Sequence, residues 1–172
     1  MLLKNFLKAA VLASALPVMG MLGMTTASAN VDSANVSMLH DFHFNHPTFI
    51  HDLPFAEHHV VIQVSQANPA RWNLTLNNAQ NLLNYFGQQK VQIVVVAFGQ
   101  GIKMYLPNSP VASRIAAINA EGVEFDVCHN SMEEFKKKTG HLPKLYPSVV
   151  IVPAGIVRIM QLEHAGFSYI KP

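Results

Sequence analysis

From residue 58 onward, short apolar runs alternate with amphipathic segments along the chain. The run over residues 91–98 is apolar at nearly every position, which is typical of a strand buried on both faces. The runs that predict strands cover residues 60–64, 91–98, 123–128, 149–152 and 167–170. Because helical segments separate them, the pattern predicts a three-layer α/β/α fold with a five-stranded, mainly parallel sheet over residues 58–172.

The segment after the first predicted strand carries the clearest helix signals. Asn68 is a good N-cap residue, and Pro69 suits the first helical position. Apolar residues then recur every three or four positions, at Trp72, Leu76, Ala79, Leu83 and Phe86. Gly87 follows them, so a helix is predicted over residues 69–86. Shorter helices are predicted from Ser109-Pro110 to Gly122, from Ser131 onward, and from Ala154-Gly155 to near Gly166.

The first residues of the chain have the pattern of a targeting segment. Lys4 and Lys8 precede an apolar stretch over residues 9–24, and residues 27–29 (ASA) form a small-residue cleavage site. These features predict a secretory signal peptide over residues 1–29. They indicate a periplasmic protein with no membrane association after cleavage, and an uncleaved N-terminal anchor is the alternative interpretation.

Composition narrows the classes of function. The chain has 172 residues, of which 50% are hydrophobic and 13% charged, enough for one domain with its own core. Twelve Lys and Arg residues stand against ten Asp and Glu residues, so removal of Lys4 and Lys8 leaves no net charge. A neutral chain without a basic stripe is a poor candidate for binding nucleic acid. The one cysteine, Cys128, allows no disulfide within the chain.

Cys128 is the first candidate for chemistry. Side chains alternate between two faces along the strand over residues 123–128. Cys128 therefore shares a face with Glu124 and Asp126 and points away from the apolar core. A capping-box pattern predicts a helix that begins at Ser131, and a thiol near a helix N-terminus can be held as a reactive thiolate. The two carboxylates oppose ionisation, so the residues alone leave open a functional and an inert cysteine.

The loops beyond the carboxyl ends of the strands form the second candidate site, because ligands of open α/β sheets bind at this edge. The candidate binding residues there are Gly99, Gln100, Gly101, Lys103, His129, Asn130 and Ser131. Arg158, about one turn into the last predicted helix, is placed to reach the same edge. The glycines complete no nucleotide-binding fingerprint and also suit a simple turn, so we predict no cofactor.

The third candidate is the segment over residues 30–57, which lacks periodicity and is rich in histidine. Six of the nine histidines fall between residues 40 and 59. The weak metal-ligand candidates are His43, His46 and His51, interleaved with Asp41 and Asp52. Imidazoles and carboxylates suit zinc, copper or nickel, but the spacing matches no closed zinc motif. We interpret this segment as an irregular surface arm without a metal site, and metal binding is the alternative.

Three blocks of sequence together resemble one protein family. They are EGVEFDVCHNSM over residues 121–132, VVVAFGQG over residues 94–101 and VPAGIVR over residues 152–158. The blocks are similar to the DsrE/DsrF-like family of sulfur-relay proteins, in particular its exported branch, and the resemblance covers residues 58–172. It implies a five-stranded parallel α/β/α fold that assembles as homotrimers or hexamers. It also implies that Cys128 matches the cysteine on which relay members carry sulfane sulfur as a persulfide.

The expected function is that of a periplasmic sulfur carrier, or of a sulfurtransferase-like enzyme if the protein turns over. Its partners would be a sulfur donor and an acceptor thiol, which the sequence does not identify. His129, Asn130 and the Ser131 N–H are expected to stabilise a sulfur anion, and Lys103 and Arg158 to attract an anionic donor. A periplasmic module that binds a small ligand or a metal, with an inert cysteine, is the alternative.

Overall fold

The computed structural model describes residues 35–172, so the predicted signal peptide lies outside the described residues. Six strands form one parallel sheet in the order β1-β5-β4-β3-β2-β6. The strands are β1 (Val36–Ser37), β2 (His58–Val64), β3 (Val91–Ala97), β4 (Glu124–Cys128), β5 (Val150–Val152) and β6 (Ser168–Ile170). The helices are α1 (Pro69–Phe86), a 3-10 helix (Gly99–Tyr105), α2 (Ala112–Ala120), α3 (His129–Thr139) and α4 (Gly155–His164). The predicted α/β fold is confirmed, with six strands in place of five.

The additional strand comes from the segment predicted to be irregular. Its two residues, in β1, pair with β5 at one edge of the sheet, with Val36 opposite Val150. A two-residue strand shows no alternation that a sequence pattern could reveal. The rest of residues 38–57, called the arm below, forms turns without further strands or helices.

The local signals of α1 act as predicted. The Asn68 side chain accepts hydrogen bonds from the backbone N–H groups of Ala70 and Arg71, at 2.9 and 3.3 Å. Pro69 is the first helical residue, and Gly87 ends the helix at a φ of 87°, a backbone conformation that favours glycine. The predicted apolar face is the buried one, with Trp72, Leu76, Ala79 and Leu83 in the core.

The starts of two other helices, and one predicted turn, differ from the predictions. Helix α2 begins after Val111 and not at Ser109-Pro110. Helix α3 begins at His129, two residues before the predicted start at Ser131, because β4 runs directly into it. The predicted turn at residues 99–101 is the start of the 3-10 helix.

Each face of the sheet has its own apolar cluster, and every residue of β3 is buried. One face packs against α1, α2 and α3; its helix residues include Trp72, Leu76, Ile115, Ile118 and Met132. The other packs against α4 and the arm; its residues are Val61, Val94, Val96, Ile159, Leu162, Phe167, Phe49 and Phe98. The adjacent strands β4 and β5 therefore lead into helices on opposite faces. Such a divergence opens a crevice at the carboxyl ends of the two strands, where α/β proteins bind their ligands.

Within residues 35–172 no helix is both long enough and apolar enough to span a membrane.

Candidate functional site

Cys128 lies at the carboxyl ends of β4 and β5, the position where open α/β sheets form their ligand-binding crevice, and this position is called the crevice below. It is the last residue of β4, it pairs with Val152 of β5, and it directly precedes the first residue of α3. Only 5% of the residue is exposed. The expectation that its face points away from the core is wrong, because α4 and the arm cover that face and bury it.

Gly155, the first residue of α4, packs closely against this cysteine. A Cβ atom built on Gly155 would lie 3.2 Å from the Cβ atom of Cys128 and 3.0 Å from that of Phe98. Such distances are shorter than ordinary carbon–carbon contacts. The absence of a side chain at Gly155 therefore lets the N-terminus of α4 approach the thiol-bearing residue.

Two helix N-termini flank Cys128, since α3 begins at the next residue and α4 begins at Gly155. Neither helix has a side chain that caps its first N–H groups, and neither has an acidic residue in its first turn. The first backbone N–H groups of a helix lack intrahelical acceptors and carry partial positive charge. This arrangement favours an anion between the two helices.

Beneath the cysteine, one arginine and two carboxyl groups form a buried cluster. Arg158 Nε donates to Asp126 Oδ2 at 2.8 Å, and Arg158 Nη2 donates to Glu124 Oε1 at 2.9 Å. Both acidic residues come from β4, on the face that also carries Cys128. Arg158 has no exposed surface. Arg158 was expected to attract an anionic sulfur donor; the structure gives it no surface on which to bind one, and its charge is paired inside the protein.

The electrostatics of the cluster follow from its burial. Removal from water raises the pKa of Glu124 well above its ordinary value, the negative charge of Asp126 raises it further, and Arg158 opposes both. The pKa of Asp126 is also raised by burial, against the effect of Arg158. Asp126 Oδ1 has no hydrogen-bond partner among residues 35–172. A proton on Glu124 leaves one carboxylate and one guanidinium, so the cluster has no net charge.

The arm closes over this cluster with its backbone. The N–H of Ile50 donates to Glu124 Oε2 at 2.7 Å, and Arg158 Nη2 donates to the carbonyl oxygen of Thr48 at 2.9 Å. The side chain of Gln161 donates to the carbonyl oxygen of His43 at 2.8 Å. The segment predicted as a surface arm is therefore part of the layer that buries the face of β4.

A cleft of about 420 Å³ lies between the 3-10 helix and α3. Its lining residues are Gly99, Gln100, Ile102, Lys103, Asn130, Ser131, Glu134, Phe135, Lys138 and Thr139. Five of the predicted site residues are thus brought together here: Gly99, Gln100, Lys103, Asn130 and Ser131. The Ser131 hydroxyl oxygen accepts a hydrogen bond from the Gly99 N–H at 2.7 Å. Cys128, His129, Gly101 and Arg158 are not part of the lining.

Two of these remaining residues have other surroundings. A Cβ atom on Gly101 would lie 2.2 Å from the carbonyl oxygen of Val64, so the glycine lets the 3-10 helix lie against the end of β2. The structure thus assigns Gly101 a packing role, and it does not line the cleft. His129 is half-buried, and its Nε2 atom lies 3.6 Å from Glu133 Oε1.

The histidine-rich arm brings no metal site together. Among residues 35–172, no group of three or more His, Cys, Asp or Glu side chains is arranged to hold a metal ion. The described hydrogen bonds of His43 and His51 use backbone atoms, since their carbonyl oxygens accept from Gln161 and Gln92. The three weak candidates, His43, His46 and His51, therefore lie in the arm without forming a ligand set.

Sequence reasoning missed the residues that assemble the crevice. The sequence predicts Gly155 only as the start of a helix, and nothing in the neighbouring residues indicates its contact with Cys128. Gln161 and Thr48 complete the polar contacts of Arg158 from distant parts of the chain. One available signal was the presence of two acidic residues on a strand otherwise apolar enough to be buried, because buried carboxylates require a cationic partner.

Comparison with protein-family models and with curated proteins gives no match. Two solved structures are similar in fold. A protein of unknown function from Methanobacterium thermoautotrophicum, MTH1491, is 24% identical, with a TM-score of 0.59 over 67% of this chain and 99% of that chain. A conserved protein of unknown function from Bacteroides thetaiotaomicron, BT1422, is 18% identical, with a TM-score of 0.50 over 66% of this chain and 94% of that chain. At these identities the similarity establishes the fold and nothing about function.

Proposed function

We propose that this protein is an exported sulfur carrier of the DsrE/DsrF-like type, in which Cys128 accepts sulfane sulfur as a persulfide and passes it to an acceptor thiol. The observation that carries the proposal is the position of Cys128 in the crevice between β4 and β5, between two uncapped helix N-termini. The resemblance of residues 58–172 to the relay family supports the same chemistry. A carrier role is favoured over catalytic turnover, and an enzyme of this type would be sulfurtransferase-like.

The proposed reaction is a pair of thiol exchanges. The Cys128 thiolate attacks the outer sulfur of thiosulfate, the sulfur–sulfur bond of the donor breaks, and sulfite leaves with the electron pair. An acceptor thiolate then attacks the outer sulfur of the persulfide, which restores the Cys128 thiolate and leaves the acceptor as a persulfide. Neither step requires an oxidant, a reductant or a bound cofactor.

Both the thiolate and the persulfide are anions, and the crevice suits them. The N–H groups of His129, Asn130 and Ser131 open α3, and those of Gly155 and Ile156 open α4. A negative charge near a helix N-terminus is stabilised by roughly 0.3–1 kcal/mol at exposed positions and by more where water is excluded. We therefore assign anion stabilisation to these backbone groups.

The burial of Cys128 limits the size of the donor. With 5% of the residue exposed, a small inorganic donor such as thiosulfate or polysulfide fits better than a bulky one. The cleft provides an approach for such anions, because Lys103 and Lys138 line it and make no ion pair among residues 35–172. One of its lining residues, Asn130 of α3, lies two residues after Cys128 along the chain.

The test is the intact mass of the purified mature protein before and after incubation with thiosulfate or polysulfide. We expect wild type to gain one sulfur atom, a reductant to remove it, and Cys128→Ser to gain nothing. Ser113→Ala is the matched control, because Ser113 is an exposed residue of α2 and the substitution leaves the thiol and the cleft in place. An unmodified wild-type protein whose thiol also resists alkylation when folded would overturn the proposal.

A second function is a small-ligand-binding module, and one observation favours it: Cys128 does not line the cleft. In that case an anionic or amphipathic ligand occupies the cleft, and the cysteine is inert. Native mass spectrometry of the freshly purified protein distinguishes the two functions. A co-purified small molecule that is retained by Cys128→Ser and lost on cleft substitution would identify a binding module.

Export and self-assembly belong to the same proposal and have direct tests. The intact mass of the protein isolated from the periplasm is expected to match a chain that begins at Asn30, after the predicted cleavage site. Sedimentation equilibrium is expected to give a homotrimer or a hexamer, and a monomer at all concentrations would contradict that assignment.

A further inference from the structure

We propose that Arg158 is a positioning residue whose side chain holds the first turn of α4 against Cys128, so that the N-terminus of this helix faces the sulfur anion. The inference rests on the proposed function, because it gives Arg158 a part in the chemistry of Cys128. With no exposed surface, Arg158 cannot itself touch a sulfur donor.

The buried ion pair joins the same two elements that meet at the thiol. Asp126 lies two residues before Cys128 on β4. Arg158 lies within the first turn of α4, and its backbone N–H donates to the carbonyl oxygen of Ala154 at 2.9 Å. The 2.8 Å hydrogen bond from Arg158 Nε to Asp126 therefore fastens α4 to β4 within one helical turn of the contact between Gly155 and Cys128.

The shape of the guanidinium makes this connection directional. Besides the bond to Asp126, Nη1 donates to Gln161 Oε1 at 2.7 Å and Nη2 donates to Glu124 Oε1 at 2.9 Å. A planar group that is bonded in three directions holds one orientation. A lysine keeps the charge, but its single ammonium nitrogen cannot reproduce these directions. Arg158→Lys therefore separates the geometry of the contact from its charge.

The charges facing the guanidinium are balanced inside the cluster. Glu124 and Asp126 are the acidic groups of β4. From the arm, the carbonyl oxygen of Thr48 accepts from Arg158, and the Phe49 ring lies 5.2 Å from the guanidinium carbon; neither carries a charge. The buried Tyr105 stays neutral, since burial and the charge of Asp126 raise the pKa of its hydroxyl. With one proton on the two carboxyl groups, no net negative charge lies beneath Cys128 to oppose the α4 N-terminus.

The experiment follows the ionisation of Cys128 by the ultraviolet absorbance of the thiolate over a pH series. Each spectrum is taken as the difference from the same protein carrying Cys128→Ser, which removes the contributions of tyrosine. We expect Arg158→Lys to move the midpoint upward by about half a pH unit or more, which is the size of a lost helix-terminus interaction. Arg114→Lys is the matched control, because Arg114 also makes two directed contacts, to Asn73 and Asn77, but on α1.

A second variant reaches the same contact without touching the cluster. Gly155→Ala places a methyl group against Cys128 and Phe98 and pushes the start of α4 away, so its midpoint is expected to move upward as well. If Arg158→Lys does not fold, a folded Gly155→Ala with the wild-type midpoint would still overturn the proposal, because the position of the α4 N-terminus would then have no effect on Cys128. Folded variants that keep the wild-type midpoint would overturn the positioning role.

The readout needs no sulfur donor, so the two proposals fail separately. A shifted midpoint in Arg158→Lys, with no sulfur uptake by wild type, would retain the positioning role and exclude the carrier. Sulfur uptake by wild type, with unshifted midpoints in the variants, would retain the carrier and exclude the positioning role.

Discussion

The hydroxyl oxygen of Ser131 accepts a hydrogen bond from the backbone N–H of Gly99 at 2.7 Å. This contact joins the first turn of α3 to the first residue of the 3-10 helix. Both residues line the cleft, so the bond fixes one end of it. The cleft and the crevice at Cys128 are therefore built on the same short stretch of α3.

Removal of this contact is expected to loosen the cleft without disturbing the core. Ser131→Ala leaves the Gly99 N–H to water, and we expect the free energy of unfolding to fall by about 0.5–1.5 kcal/mol. Asn130→Ala is the matched control, because Asn130 lines the same cleft and its side chain makes no hydrogen bond among residues 35–172. Urea denaturation of both variants measures the difference, and equal stabilities would contradict the structural role of Ser131.

The same serine shows why the fold was easier to predict than the site. The capping-box pattern places a helix start at Ser131, which is correct to within two residues. The hydroxyl does not cap α3, since β4 continues through Cys128 into α3 without a break. It instead accepts the hydrogen bond from the Gly99 N–H of the 3-10 helix. Periodicity predicts strands and helices because each element buries one face, whereas the partner of a side chain across the sheet leaves no local pattern.

The buried cluster illustrates the same limit. Alternation along β4 correctly places Glu124, Asp126 and Cys128 on one face. The partner of the carboxyl groups, Arg158, lies on a helix more than thirty residues later. The arm that buries them has no periodicity at all. The sequence alone therefore indicated which residues share a face but not that the face is buried.

The raised pKa of Glu124 predicts a pH dependence of stability. Burial raises the pKa of this carboxyl well above its ordinary value of 4.5, so between these two values the folded protein holds a proton that the unfolded chain has released. Its contribution to stability is fully present below the ordinary value and is lost as the pH rises through the folded value. The free energy of unfolding is expected to fall by up to about 1.4 kcal/mol per pH unit over this range.

Urea denaturation between about pH 5 and about pH 8 measures this slope. Glu124→Gln is the comparison, because the amide cannot titrate and Arg158 remains paired with Asp126. Its slope is expected to be smaller than that of wild type, although the variant is less stable because an amide nitrogen cannot accept from the Ile50 N–H. Parallel slopes in the two proteins would mean that Glu124 carries no proton.

Gly101 is expected to tolerate substitution poorly. A methyl group there would overlap the carbonyl oxygen of Val64, which belongs to the backbone of a buried strand and cannot move aside. Gly101→Ala is therefore expected to lower the free energy of unfolding by about 1–3 kcal/mol, the usual cost of overpacking. Gln100→Ala, at the next position of the same 3-10 helix, is the control and is expected to lie within about 0.5 kcal/mol of wild type. Thermal unfolding measures the stability of both variants. Equal losses of stability in the two would contradict this account.

The lysines of the cleft are expected to control how fast an anionic donor reaches Cys128. Lys103 and Lys138 line the cleft with exposed ammonium groups, and thiosulfate is a dianion. Lys103→Gln combined with Lys138→Gln is therefore expected to slow sulfur uptake several-fold at low salt, through lost steering of the donor. The difference is expected to shrink as salt is added, because about 0.1 M salt screens charges beyond about 10 Å. Lys144→Gln combined with Lys171→Gln removes the same charge from two exposed lysines outside the cleft and is the control, and an equal slowing in that variant would exclude the cleft as the route.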